Sequence, residues 1–227
     1  MEDDSKQALE LALQNNGHVK LEASKIWTYG FSPAEQIRLD YALMLMPQKI
    51  RRWISDIIKR ESTHFEKSHA AHFDPHWQRI CFNKIHPIYL STIWHEAAHA
   101  YHSVIETKMD EAWRKLTDPH NVIYGNWAAN REDGGCLWIG TDDDGPDNNC
   151  LTPYASLNIR EDVAVTVEGA YSVLYGEQSL AAINLLKIPQ DENSIFWQKL
   201  KQLHLNKFLK DKQYKRLLKI LRARYKS

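Results

Sequence analysis

The stretch Trp94-His95-Glu96-Ala97-Ala98-His99-Ala100-Tyr101 lies inside a longer apolar run from Pro87 to about Lys108, and its reading decides the fold. Ile88, Leu90, Ile93, Trp94, Ala97, Ala98, Tyr101, Val104 and Ile105 recur at helical spacing and leave few polar sides. A helix that is apolar nearly all round is a buried one. Into that helix the sequence inserts two histidines four residues apart, which stack on one face. Two imidazoles so placed can each turn a ring nitrogen toward one metal ion, and Glu96 stands beside the first of them. His-Glu-x-x-His on a helix is the arrangement in which two histidines hold zinc and the glutamate serves as general base.

Immediately upstream, Trp77 to Ile85 alternates apolar and polar residues and reads as a half-buried strand, closed by His86-Pro87. Its edge is a candidate place for an extended substrate to pair. A strand feeding a buried helix, with helices on either side, makes the expected class α+β and mostly helical. Ser32-Pro33-Ala34-Glu35 is a capping box with proline at the first helical position. A helix is expected from Pro33 to about Pro47, with Ile37, Tyr41 and Leu45 on its packed face, and a second through Ile50, Trp53, Ile54, Ile57 and Ile58. A short helix is expected over Ser5–Asn16 and a histidine-bearing loop over His64–His76. Asn126–Asn149, whose acidic stretch lacks calcium-loop spacing, reads as a surface loop or hairpin tip. Residues 160–186 read as one apolar helix, or as two broken near Tyr175-Gly176.

Composition narrows the class of function. The 227 residues carry 29 basic and 29 acidic side chains, so no global charge draws the chain to nucleic acid, and a nucleic-acid partner is not expected. No apolar run reaches the roughly 20 residues of a membrane span, and the acidic start lacks an apolar leader. The expected location is therefore cytoplasmic, with export by an unconventional route left open. Cys81, Cys136 and Cys150 show no Cys-x-x-Cys spacing, which excludes a four-cysteine zinc site, and free thiols are expected. From Lys199 onward, 11 Lys/Arg face one Asp, read as amphipathic helices with a solvated basic side. The expected organisation is a helical segment over 1–62, a core domain over 63–190 and a basic helical segment over 191–227, or all of these as one domain.

A catalytic zinc takes three protein ligands and keeps one open position. His102, on the same helix, would have to bind along the helix axis, so the third ligand should come from elsewhere. Downstream carboxylates and histidines include Glu106, Asp110, Glu111, His120, Glu161, Asp162, Glu168, Glu177 and His204. Glu161 is preferred, because it opens an apolar helix after a proline-marked loop.

With Tyr154 seven positions before Glu161, and Glu161-Asp162-Val163-Ala164 following, the stretch from about 77 to 175 resembles the gluzincin metallopeptidases. The likeness is to the branch that includes anthrax lethal factor and the bacterial proline–proline endopeptidases. The resemblance implies a zincin-like domain with a small mixed sheet beside a central active-site helix. It implies one zinc ion on His95, His99 and Glu161, Glu96 as the base that activates water, and Tyr154 as a donor to the oxyanion. It also implies a protein or peptide substrate. One position departs: the family places an acid four residues after the glutamate ligand, and here Val165 stands there. That departure keeps a second reading in play, a zincin-fold regulatory or interaction protein that binds zinc with little or no turnover.

Overall fold

The computed structural model describes residues 18–20, 25–61, 70–120, 122, 124, 149–188, 191 and 193–224. The class is α+β, mostly helical, with one small mixed sheet. The chain divides into two compact units, Met1–Tyr101 and His102–Ser227. The division falls within one long helix.

The first unit holds the sheet. Its strands are β1 (His18–Lys20), β2 (Trp27–Tyr29), β3 (Asp56–Arg60), β4 (Ala71–Asp74) and β5 (Arg79–Asn83), in spatial order β1-β2-β3-β5-β4. β2, β3 and β5 run parallel, and β1 and β4 are antiparallel to their neighbours. β5 is therefore interior: it pairs on both sides, and Ile80, Cys81, Phe82 and Asn83 are buried in succession. This corrects the half-buried strand with a free edge expected at 77–85. A strand paired on both sides offers no backbone groups to a substrate, and the edges belong to β1 and β4. Arg79 on β5 clasps Asp56 on β3 through two bonds of 2.6 and 2.7 Å.

Helix α1 (Pro33–Leu45) begins where the capping box places it. Ser32 Oγ accepts from the Glu35 amide, and the Glu35 carboxylate accepts from the Ser32 amide at 2.9 Å. It ends at Met46, which is extended ahead of Pro47 as a residue before proline should be. The buried face is Gln36, Leu39, Ala42, Leu43 and Met46, whereas Ile37 and Tyr41 are each 47% exposed. The expected face was the wrong one. This helix is apolar on nearly every side, so its period could not choose a face, and packing did.

The second expected helix is also replaced. Only Gln48–Arg51 is helical (α2), and the chain then enters β3. β-branched Ile57 and Ile58 suit a strand at least as well as a helix. Pairing with β2 on one side and β5 on the other decides between them. Of the histidine-rich connector, His72 lies on β4 and His76 in the exposed turn after it. His64 and His69 lie outside the described residues, as do the helix expected over Ser5–Asn16 and all of Asn126–Asn149 but its last residue.

The long helix α3 (Leu90–Thr117) carries the two histidines. In the first unit Ile93, Trp94, Ala97, Ala98 and Ala100 are fully buried, and the Trp94 indole donates to the Ala42 carbonyl of α1 at 3.0 Å. Arg38 of α1 reaches the Ile88 carbonyl just ahead of α3 at 2.8 Å. The helical geometry is interrupted at Ile105 (φ −112°, ψ 20°).

The second unit is helical. After the C-terminal part of α3 come a 3₁₀ turn (Pro153–Leu157), α4 (Ile159–Tyr175), α5 (Leu180–Leu185), α6 (Ile195–Leu205) and α7 (Asp211–Ala223). Gly176, at φ +75°, caps α4 in the left-handed region open to glycine, which is the break expected near Tyr175-Gly176. α4 buries Val163, Val167, Ala170, Tyr171 and Leu174, and the Tyr171 hydroxyl donates to the Phe208 carbonyl at 2.9 Å. α7 buries Gln213, Leu217 and Leu221 at four-residue spacing, while Lys212, Lys215, Arg216, Lys219 and Arg222 stay exposed. Among the described residues no helix is long and apolar enough to cross a membrane. Cys81 and Cys150 are buried thiols, and Cys136 lies outside the described residues.

Candidate metal centre

His95 and His99 turn the same ring nitrogen toward each other. Their Nε2 atoms are 3.1 Å apart, with ring centroids 4.8 Å apart and planes at 75°. Two nitrogens bound at about 2.05 Å to one tetrahedral ion stand roughly 3.3 Å apart, so the spacing suits a shared cation as well as the N–H···N hydrogen bond it forms here. Glu161 completes the set: one ligand atom from each of His95, His99 and Glu161 lies within 4.8 Å of the others. Among the described residues this is the only such group of three or more metal-ligating side chains. Two imidazoles and a carboxylate form a donor set suited to a divalent ion such as zinc.

Each ligand is supplied by a different local device. His95 and His99 come from consecutive turns of a buried helix, which fixes their separation through backbone hydrogen bonds alone. Glu161 comes from the first turn of α4. Its own amide is caught by the Asn158 side chain, the N-cap residue, at 3.0 Å. Glu96 is 5% exposed, and its Oε2 has no hydrogen-bond partner among the described residues. A buried carboxylate oxygen left without a donor costs free energy that some other gain must offset.

Several of the remaining downstream candidates have other partners. Arg160 binds Glu106 and holds its carboxyl below the usual range. His102 is buried and its Nε2 lies 2.8 Å from Asp110. His204 stacks on Tyr214 and faces Asp211. Tyr154 is half-buried in the 3₁₀ turn that leads into α4, and Val165 is buried at 3% exposure.

Among the described residues, the hydrogen-bond partners of the Asp162 carboxylate are not histidines. Its Oδ2 accepts from the Trp113 indole at 2.8 Å, from the Tyr124 hydroxyl at 2.7 Å and from the Lys199 ammonium at 2.6 Å. Lys199 and Asp162 are both entirely buried. Burial, with the Asp162 charge beside it, pushes the Tyr124 hydroxyl well above its ordinary range, so it remains a donor. Lys199 was expected on a solvated basic face, and that is corrected here. The signal was present: Phe196, Lys199, Leu200 and Leu203 occupy one helical stripe, so the lysine stands at an apolar position.

In comparison with known proteins, the chain matches no protein-family model, no curated protein and no solved structure.

Proposed function

We propose that the chain is a zinc-dependent metallopeptidase of zincin-like fold that hydrolyses peptide bonds in a protein or peptide substrate. The observation that carries this is the convergence of His95, His99 and Glu161 beside a buried carboxylate, Glu96, with one oxygen unpartnered. A site that merely held an ion for structure would have no use for that carboxylate. Zinc held by the three ligands would act as a Lewis acid toward the scissile carbonyl and make water acidic enough to be deprotonated near neutral pH. Glu96 Oε2 accepts a proton from the attacking water as the new C–O bond forms. The same carboxyl returns it to the amide nitrogen as the C–N bond breaks, so proton and electron pairs balance. The Tyr154 hydroxyl is assigned to the oxygen that gains negative charge, a role worth about 3 kcal/mol when one such donor is removed.

A second reading keeps the zinc and drops the turnover. Buried Val165 favours it, because an acid there would have steadied a zinc-bound imidazole. Zinc analysis and a peptide library separate the two. Wild type is expected to carry about one zinc and to cleave library members. Glu96→Ala should keep the zinc and lose cleavage by roughly 100-fold to 10,000-fold. A wild type that holds zinc but cleaves nothing supports the regulatory reading, and a wild type without zinc ends both.

A further inference from the structure

Asp162 and Lys199 form a buried ion pair one residue from a proposed metal ligand, and the site as so far described makes no use of it. Glu161 lies in the first turn of α4, where backbone amides have no partners within the helix. Such a turn frays unless something outside the helix holds it. The Asn158 cap ties the Glu161 amide. The next residue, Asp162, is held much more firmly, by three donors arriving from three places. Trp113 comes from α3, Tyr124 from the segment after it, and Lys199 from α6. Lys199 also donates to the Asn149 carbonyl at 2.8 Å, and its ammonium sits 5.6 Å from the centre of the Trp113 ring and 5.8 Å from that of Phe196. Within α4, Asp162 accepts the Thr166 hydroxyl on its own carbonyl at 2.6 Å.

Taking two charges fully out of water is expensive, and an apolar pair of the same volume is often as stable. What an apolar pair cannot do is fix one residue at one place: an ion pair with hydrogen bonds has direction, and hydrophobic contact has little. Adjacent helical residues point about 100° apart, so a turn locked through Asp162 commits Glu161 to a single heading. Resting on the metallopeptidase reading, we infer that Lys199 and Asp162 are positioning residues. Their buried pair holds the first turn of α4 so that Glu161 is presented to the metal.

The test is zinc affinity, measured by competition with a chelator in the full chain. The variants are Lys199→Met/Asp162→Asn and Lys199→Gln/Asp162→Asn, in which the charges are removed together so that neither is left alone, and Glu161→Ala. Positioning predicts that the double variant loses zinc affinity by about 10–100-fold while its metal-free melting temperature stays close to wild type. The Co²⁺-loaded form should lose its tetrahedral visible band. If Lys199→Met/Asp162→Asn does not fold, Lys199→Gln/Asp162→Asn, which is also charge-free but keeps a donor, carries the same test, with a smaller loss expected. Wild-type zinc affinity and an unchanged cobalt spectrum in the charge-free variants, with affinity lost in Glu161→Ala, would overturn the positioning role and leave the metal site standing. A wild type that binds no zinc would overturn both together.

Discussion

Two polar clusters in this chain are built differently: Asp162 and Lys199 are entirely buried, whereas of His95, His99 and Glu161 only His95 is buried. Around Asp162, one carboxylate oxygen meets a cation and two neutral donors, each within 2.8 Å. Around His95 and His99, two ring nitrogens stand 3.1 Å apart in a hydrogen bond whose donor depends on the tautomer, Glu161 lies close by, and Glu96 Oε2 is buried without a donor among the described residues. In the first cluster Asp162 Oδ2 is fully partnered, while Oδ1 is buried without a partner among the described residues. The second brings together three side chains that could hold a metal ion. Clustered polarity therefore carries two meanings here. A carboxylate met by donors from three segments locates a turn of chain; two imidazoles and a carboxylate drawn together could hold a metal ion.

The comparison can be broken by measuring metal-free stability. The largest effect belongs to Lys199→Met alone, which leaves the Asp162 charge buried without its partner. A loss of about 3–5 kcal/mol is expected in urea unfolding with chelator present. Most of that loss should return when Asp162→Asn is added. His99→Ala is the counterpart in the other cluster. It removes one partner of a part-buried hydrogen bond, so metal-free stability should fall by only about 1 kcal/mol while zinc binding is lost. A cost comparable to that of Lys199→Met would show that the histidine cluster also holds the fold.

The smallest effect concerns a third pair, at the margin between protein and solvent. Lys59 and Glu35 are 2.5 Å apart with side-chain exposures of 12% and 23%. Burial pushes the Glu35 carboxyl up, but hydrogen bonds from Lys59 and Ser32 outweigh it and hold the carboxyl below its ordinary value of 4.5. A carboxyl lowered on folding contributes stability above that ordinary value and loses it as pH falls through the folded one. Lys59→Met should therefore reduce the drop in melting temperature between pH 5.5 and pH 3. An unchanged drop would remove this pair from the acid response.

Part of this was legible in the chain. The α1 start at Ser32-Pro33 and stop before Pro47, the break at Gly176 and the stacking of His95 on His99 all depend on neighbours within a few residues. Other readings failed where two local patterns were equally good. Ile57 and Ile58 fit a helix stripe and a strand alike, and α1 is apolar on nearly every side, so neither its neighbours nor its period could settle the outcome.

What the sequence by itself determined is the short-range geometry: i and i+4 on one helical face, an N-cap with its partner three residues on, a glycine where φ must be positive. These follow from covalent geometry and hydrogen bonds within one or two turns. Tertiary structure decided the rest. It brought Glu161, 62 positions beyond His99 (161 − 99), to within 4.8 Å of the histidine nitrogens. It buried Lys199 against Asp162, 37 positions away, where a count of charges read only a basic tail. It placed β5 inside the sheet between β3 and β4. The physical reason is the same in each case: the partner that satisfies or completes a buried polar group comes from a distant segment, and only packing chooses which one arrives.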